Sequence, residues 1–140
     1  MSTEENKALE RRFIEEVLNQ QHLTATEELV AEDFVELDPF PGQGPGREGL
    51  KQVLSMFFAG FPDQQWTIEE MIAEGDKVVT RFTFRGTHQG EFLGIPATGR
   101  QVAVKGVVID RFVNGKMQDS RILMDTLGLM QQLGAIPAPA

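Results

Sequence analysis

The sequence predicts an α+β fold: three N-terminal helices packed on a strongly curved, mainly antiparallel sheet that closes into a cone, with a short C-terminal helix. Two observations carry this. Apolar residues recur at helical spacing through the first sixty residues, then alternate with polar ones from Trp66 onward. The later runs are joined by the tight-turn pairs Gly75-Asp76 and Asn114-Gly115, which make hairpins. Helices first and strands afterwards is an α+β plan, with the helices on one face of the sheet and a ligand pocket inside the cone.

Each element has its own signature. Ser2 or Thr3 can cap the first helix, with Glu5 spaced for a capping box from Ser2. Leu9, Phe13, Ile14, Val17 and Leu18 form its apolar stripe. Thr24 and Glu27 repeat the capping pattern before a shorter helix bearing Leu29 and Val30. Phe34 to Leu37 reads as a short strand, and PFPGQGPG (39–46) as a loop that proline and glycine keep irregular. A third helix, Arg47 to Ala59, puts Leu50, Val53, Leu54, Phe57 and Phe58 on one side and stops at Gly60. Trp66 to Ala73 and Val78 to His88 are strands; the second sets Val78, Phe82 and Phe84 against Arg81 and Arg85. The segment GEFLGIPATGR (90–100) is a loop. Gln101 to Val113 is a long strand, Lys116 to Met124 returns from it, and Leu127 to Leu133 is a short helix stopped by Gly134.

With 140 residues, 41% hydrophobic and 24% charged, the chain suits one domain, residues 1–140, with one core. A net charge of −8 argues against nucleic acid or an anionic membrane as partner. Cysteine is absent, and His22 and His88 lack metal-ligand spacing, so the residues offer no Cys-based or His-paired metal site. The charged start MSTEENKALERR has no apolar run, and no stretch has the length of a membrane span, so a cytoplasmic location is the expectation.

Asp125 lies where the last strand breaks into the short helix. Two roles are open to it: an N-cap, for which Asp is favoured, or a base aimed into whatever strand and helix cover.

Phe61-Pro62-Asp63, Glu74-Gly75-Asp76, Arg81, Gly86-Thr87-His88, GEFLGIPATGR, Asn114-Gly115-Lys116 and DTLGLMQQLG together resemble the SnoaL-like polyketide cyclases of the nuclear transport factor 2 superfamily. The likeness runs from the first helix to Gly134. It implies a cone-shaped α+β barrel, a homodimer or homotetramer built sheet to sheet, and a cofactor-free enzyme. Such an enzyme closes a ring of a hydrophobic, polyketide-like carbonyl substrate by intramolecular aldol condensation, with Asp125 as general acid/base. The resemblance also marks a departure, since the cyclases carry polar side chains, a histidine among them, around the positions of Ile109 and Arg111.

An inward Arg111 would stabilise an enolate or alkoxide oxygen, and would also lower the pKa of Asp125. Its reach depends on the hairpin. A two-residue turn pairs Val113 with Lys116 and sets Asp125 with Val104, Val108 and Asp110. A three-residue loop with a bulge at Gly115 sets it with Ala103, Val107, Ile109 and Arg111. The bulged form is the one expected, with Asp125 facing a cavity walled by Val107 and Ile109.

His88 has two readings: a structural histidine holding the 90–100 loop, or a catalytic or substrate contact. Phe57 and Trp66 suit either the core or a pocket wall, whereas Phe40 and Phe92, in Gly/Pro loops, suit the pocket mouth. Two rival functions use the same pocket: an isomerase or hydrolase on a small hydrophobic ligand, and a ligand- or partner-binding domain without chemistry.

Overall fold

The computed structural model describes residues 1–137. Helix α1 (Thr3–Arg12) starts in the expected capping box: Glu5 N–H donates to Ser2 Oγ and Ser2 N–H to the Glu5 carboxylate, both at 3.1 Å. From Phe13 to Asn19 the helix continues in wider π turns, ended by Gln20 N–H on Glu15 O at 3.0 Å. The wider turn brings Phe13, Ile14, Val17 and Leu18 inward together. The cap expected at Thr24 does not form. A 3₁₀ turn at Leu23–Ala25 runs straight into α2 (Thr26–Leu29), and Thr26 Oγ1 donates back to Leu23 O at 2.6 Å. Val30, expected on that helix, instead opens β1 (Val30–Glu36), a longer strand than Phe34 to Leu37.

Helix α3 (Gly46–Gly60) buries Val53, Leu54 and Phe57. Strands β2 (Gln65–Glu74), β3 (Lys77–Thr87), β4 (Gln101–Val113) and β5 (Lys116–Met124) follow, then α4 (Thr126–Leu133). The sheet order is β1-β5-β4-β3-β2, antiparallel throughout except for β1, which lies parallel to β5. Register slips between Ile68 and Glu70, and again beside Phe112, bend the long strands as β-bulges do. The concave face thus holds Val78, Phe82, Phe84, Val102, Val104 and Phe112, all buried against the helices.

The β4–β5 hairpin differs from the expected form. Val113 pairs with Lys116 across Asn114-Gly115, whose φ values of 51° and 79° are those of a two-residue type I′ turn. The extra residue sits further on, at Gln118, between the pairs Phe112–Met117 and Arg111–Asp119. A bulge there exchanges the faces just as the longer loop would, so Asp125 does share a side with Val107, Ile109 and Arg111. That side, however, is the convex one. The larger apolar set, Val102, Val104 and Phe112 with Phe82 and Phe84, takes the concave side, leaving Val107 and Ile109 38% and 36% exposed.

No helix among the described residues is long and apolar enough to cross a membrane.

Candidate active site

Between the helices and the concave face lies a cavity of about 80 Å³, room for roughly six water molecules at ~10–15 Å³ each. Its wall is mostly apolar, with the aromatic rings of Phe13, Phe34, Phe40, Phe57, Trp66 and Phe82 beside aliphatic side chains. Phe57 sits at the centre, with Phe40, Trp66, Phe84 and Phe92 at ring separations of 5.0–5.8 Å. Into this apolar space the fold sends three carboxyl groups: Glu10 from α1, Asp110 from β4 and Glu36 from the end of β1.

Glu10 and Asp110 are 0% and 2% exposed and face each other. Neither Glu10 oxygen, nor Asp110 Oδ1, has a hydrogen-bond partner of good geometry, and two carboxyls buried face to face repel unless one of them keeps its proton. Burial is the main force raising Glu10 well above the usual carboxylate range. The Asp110 charge and the hydrogen bond to Asp110 add to it, and the Thr80 hydroxyl opposes it weakly. Asp110 is also raised by burial, against hydrogen bonds from Glu10 and Ser120 that favour its ionised form. The arrangement is an acid, Glu10, donating to a carboxylate, Asp110. Glu36, half-buried at the rim, is pushed up to about 8 by burial first and then by Asp110 and Asp38. In an apolar cavity such a set can take a proton from carbon and return one to oxygen.

Phe40, Phe57 and Trp66 line this cavity as expected; the other sequence candidates do not. Asp125 is exposed and caps α4, accepting the Gly128 N–H at 2.8 Å, so the cap is the role its geometry fits. Its expected inward placement is corrected because the side it shares with Val107 and Ile109 is the convex one. Arg111 points outward too, with Nη2 at 2.7 Å from Asp119 and Nη1 at 3.7 Å from Asp76, and does not approach Asp125 as an ion pair. Val107 and Ile109 share that outer face and line no cavity. His88, fully buried, takes the structural reading: Nδ1 accepts the Thr98 N–H at 3.2 Å and lies 2.9 Å from Thr98 Oγ1, pinning the 89–100 loop. Phe92, expected at the pocket mouth, is 1% exposed and plugs the core between Phe57, Phe61 and Gly60, because its loop folds inward onto the end of α3.

The match to known proteins follows this frame. The SnoaL-like polyketide cyclase family pattern covers residues 8–133, from the turn before Glu10 to the end of α4. The chain belongs to the SnoaL-like polyketide cyclase family. Among characterised relatives it is 38% identical over 60 residues to the aklanonic acid methyl ester cyclase DnrD of Streptomyces peucetius, covering 43% of this chain and 41% of that one. It is 31% identical over 90 residues to the nogalonic acid methyl ester cyclase of Streptomyces nogalater, covering 64% and 67%. DnrD and the aklanonic acid methyl ester cyclase DauD of Streptomyces sp. (strain C5), also 38% identical over 60 residues, are thus matched over only about two-fifths of their length, 41% and 37%. TsrD from Streptomyces laurentii superposes with a TM-score of 0.88 at 29% identity, over 97% of this chain and 99% of that one.

Several family motifs prove to be scaffolding. Asp63 of Phe61-Pro62-Asp63 accepts the Thr87 N–H and hydroxyl, both at 2.7 Å, which holds its carboxyl below the usual range and ties the α3–β2 turn to the end of β3. Phe61 then lies 5.5 Å from the His88 ring. The cavity carboxyls were missed by sequence reasoning, yet left a signal. Glu10 falls in phase with Phe13, Ile14 and Val17, Asp110 with Val104, Val108 and Phe112, and Glu36 with Phe34. Each is a charge on the apolar phase of its own element.

Proposed function

We propose that this cyclase-family protein is a cofactor-free enzyme that closes a ring in a hydrophobic, polyketide-like carbonyl compound by intramolecular aldol condensation, inside the Glu10–Asp110 cavity. The supporting observation is that pair: two fully buried carboxyls, with both Glu10 oxygens and Asp110 Oδ1 lacking a well-placed protein donor, at the wall of an apolar pocket. Asp110, ionised, takes the acidic proton α to one carbonyl. The enolate carbon attacks a second carbonyl of the same molecule, forming the carbon–carbon bond. The new alkoxide takes a proton from Glu10, and the proton held on Asp110 resets the pair. The aromatic wall folds the substrate so that the reacting carbons meet, which supplies much of the rate.

The test is incubation of the purified protein with aklanonic or nogalonic acid methyl ester in D₂O, followed by mass spectrometry. Ring-closed product carrying deuterium is the expected result. Exchange or double-bond migration without closure would favour an isomerase, ester cleavage a hydrolase. Neither exchange nor product from either ester would favour a binding domain.

The same reading includes a homodimer or homotetramer formed through the convex face. Its support is the apolar surface there: Ile72 at 58% and Leu123 at 69% exposure, beside Val107 and Ile109.

A further inference from the structure

We propose that the cavity is built for a ligand bearing a basic nitrogen, an ammonium group that meets Glu10, Asp110 and Glu36 while its apolar body lies against Phe57 and Trp66. This rests on the cavity being the ligand site, as in the cyclase reading, but not on ring closure. Four carboxyl oxygens at the wall have no protein donor: both of Glu10, Oε2 of Glu36 and Oδ1 of Asp110. No lysine, arginine or histidine lines the space.

Three arginines on elements that line the cavity are paired elsewhere. Arg47 pairs with Glu27 at 2.6 Å, Arg111 with Asp119 on the outer face, and Arg121 with Asp38 at 3.4 Å. Nor does any group of three His, Cys, Asp or Glu side chains among the described residues stand close enough to hold a metal ion. What fits is an organic cation. Its three N–H donors match acceptors that the fold leaves empty, and the aromatic faces around it attract positive charge. A carboxylate or phosphate ligand would find no cation at the wall to pair with and would add its charge to that of Asp110.

Glu36 adds a measurable consequence. The groups bearing on it are Asp110, Asp38 with its partner Arg121, and the backbone of Leu37 and Ile122. With its carboxyl held up to about 8, it is largely protonated at neutral pH in the empty cavity. An arriving ammonium ion favours the carboxylate, so a proton leaves for solvent.

Benzylamine, benzyl alcohol and benzoate share one ring and differ in the polar group. Their binding at pH 7 is read from Trp66, the chain's only tryptophan and part of the cavity wall. The expected result is benzylamine binding at least tenfold more tightly than benzyl alcohol, with benzoate weakest. Proton release for the amine alone is read by calorimetry in two buffers of different ionisation heat. Glu36→Gln and Glu10→Gln, each checked by thermal melt for a folded chain, should bring the amine down to the level of the alcohol. Equal or tighter binding of the alcohol or benzoate, no binding of any of the three, or an amine preference untouched in folded variants would overturn the proposal. Turnover of the methyl esters is scored separately, so the ring-closure reading stands or falls independently.

Discussion

The carboxyl of Glu36 ordinarily ionises near 4.5, and the fold lifts it to about 8, chiefly by burial. The folded chain therefore keeps a proton that the unfolded chain gives up. Stability from that proton is fully present below about 4.5, declines as pH rises towards 8, and is flat above it. Chemical denaturation across this window should show wild-type stability falling with rising pH and a shallower fall in Glu36→Gln; parallel curves would place the titration elsewhere. Asp125 makes a contrasting prediction. Asn is an equally good cap, so Asp125→Asn should leave the melting curve nearly unchanged, whereas Asp125→Ala should lose about 1 kcal/mol. A loss of several kcal/mol for Asn, the mark of a broken buried ion pair, would contradict the exposed geometry.

At the scale of the elements, the β4–β5 hairpin decides which groups reach the cavity. Its two-residue turn is marked by Asn114-Gly115, both in the left-handed region, although the three-residue loop was the form expected. The bulge at Gln118 is not legible, because nothing in KMQDSRILM marks where an extra residue will be accommodated. The boundaries of the two hairpin strands, unlike those of β1, are plain: Gln101 to Val113 and Lys116 to Met124 stand as expected, since alternation and the flanking turns fix them. The faces of β3 were plain too, with Phe82 and Phe84 inside and Arg81 and Arg85 outside. For the site, Phe40, Phe57 and Trp66 were readable as aromatic residues of loop, helix and strand. Asp125 drew attention because an Asp before a short helix looks alike whether it caps or catalyses. Deleting Gln118 would restore one-to-one pairing while leaving the pairs from Arg111–Asp119 to Gly106–Met124 as they are, with Ser120 still inside and Asp119 still outside. The expected outcome is a cooperative thermal transition that survives the deletion; its loss would contradict the placing of the extra residue at Gln118.

The whole molecule puts its cavity and its exposed apolar surface on opposite faces of one sheet. Inside, the cavity holds carboxyls that the helices cover; outside, Ile72, Val107, Ile109 and Leu123 stay open to solvent. Burying that outer surface against a second copy would add roughly 25 cal/mol for each Å² of apolar area removed from water. Leu123→Glu should therefore shift the protein in sedimentation from the oligomer to the 15.6 kDa chain without disturbing the cavity. A wild-type protein already monomeric at micromolar concentration would count against the sheet-to-sheet arrangement. The central claim is that proton transfer belongs to the concave side, at Asp110, and not to Asp125 on the other. Turnover of a methyl ester substrate by Asp110→Asn and Asp125→Asn, measured side by side on folded protein, tests it most directly. The account predicts a loss of roughly 10²–10⁴-fold for Asp110→Asn and near wild-type rates for Asp125→Asn; the reverse pattern would contradict it.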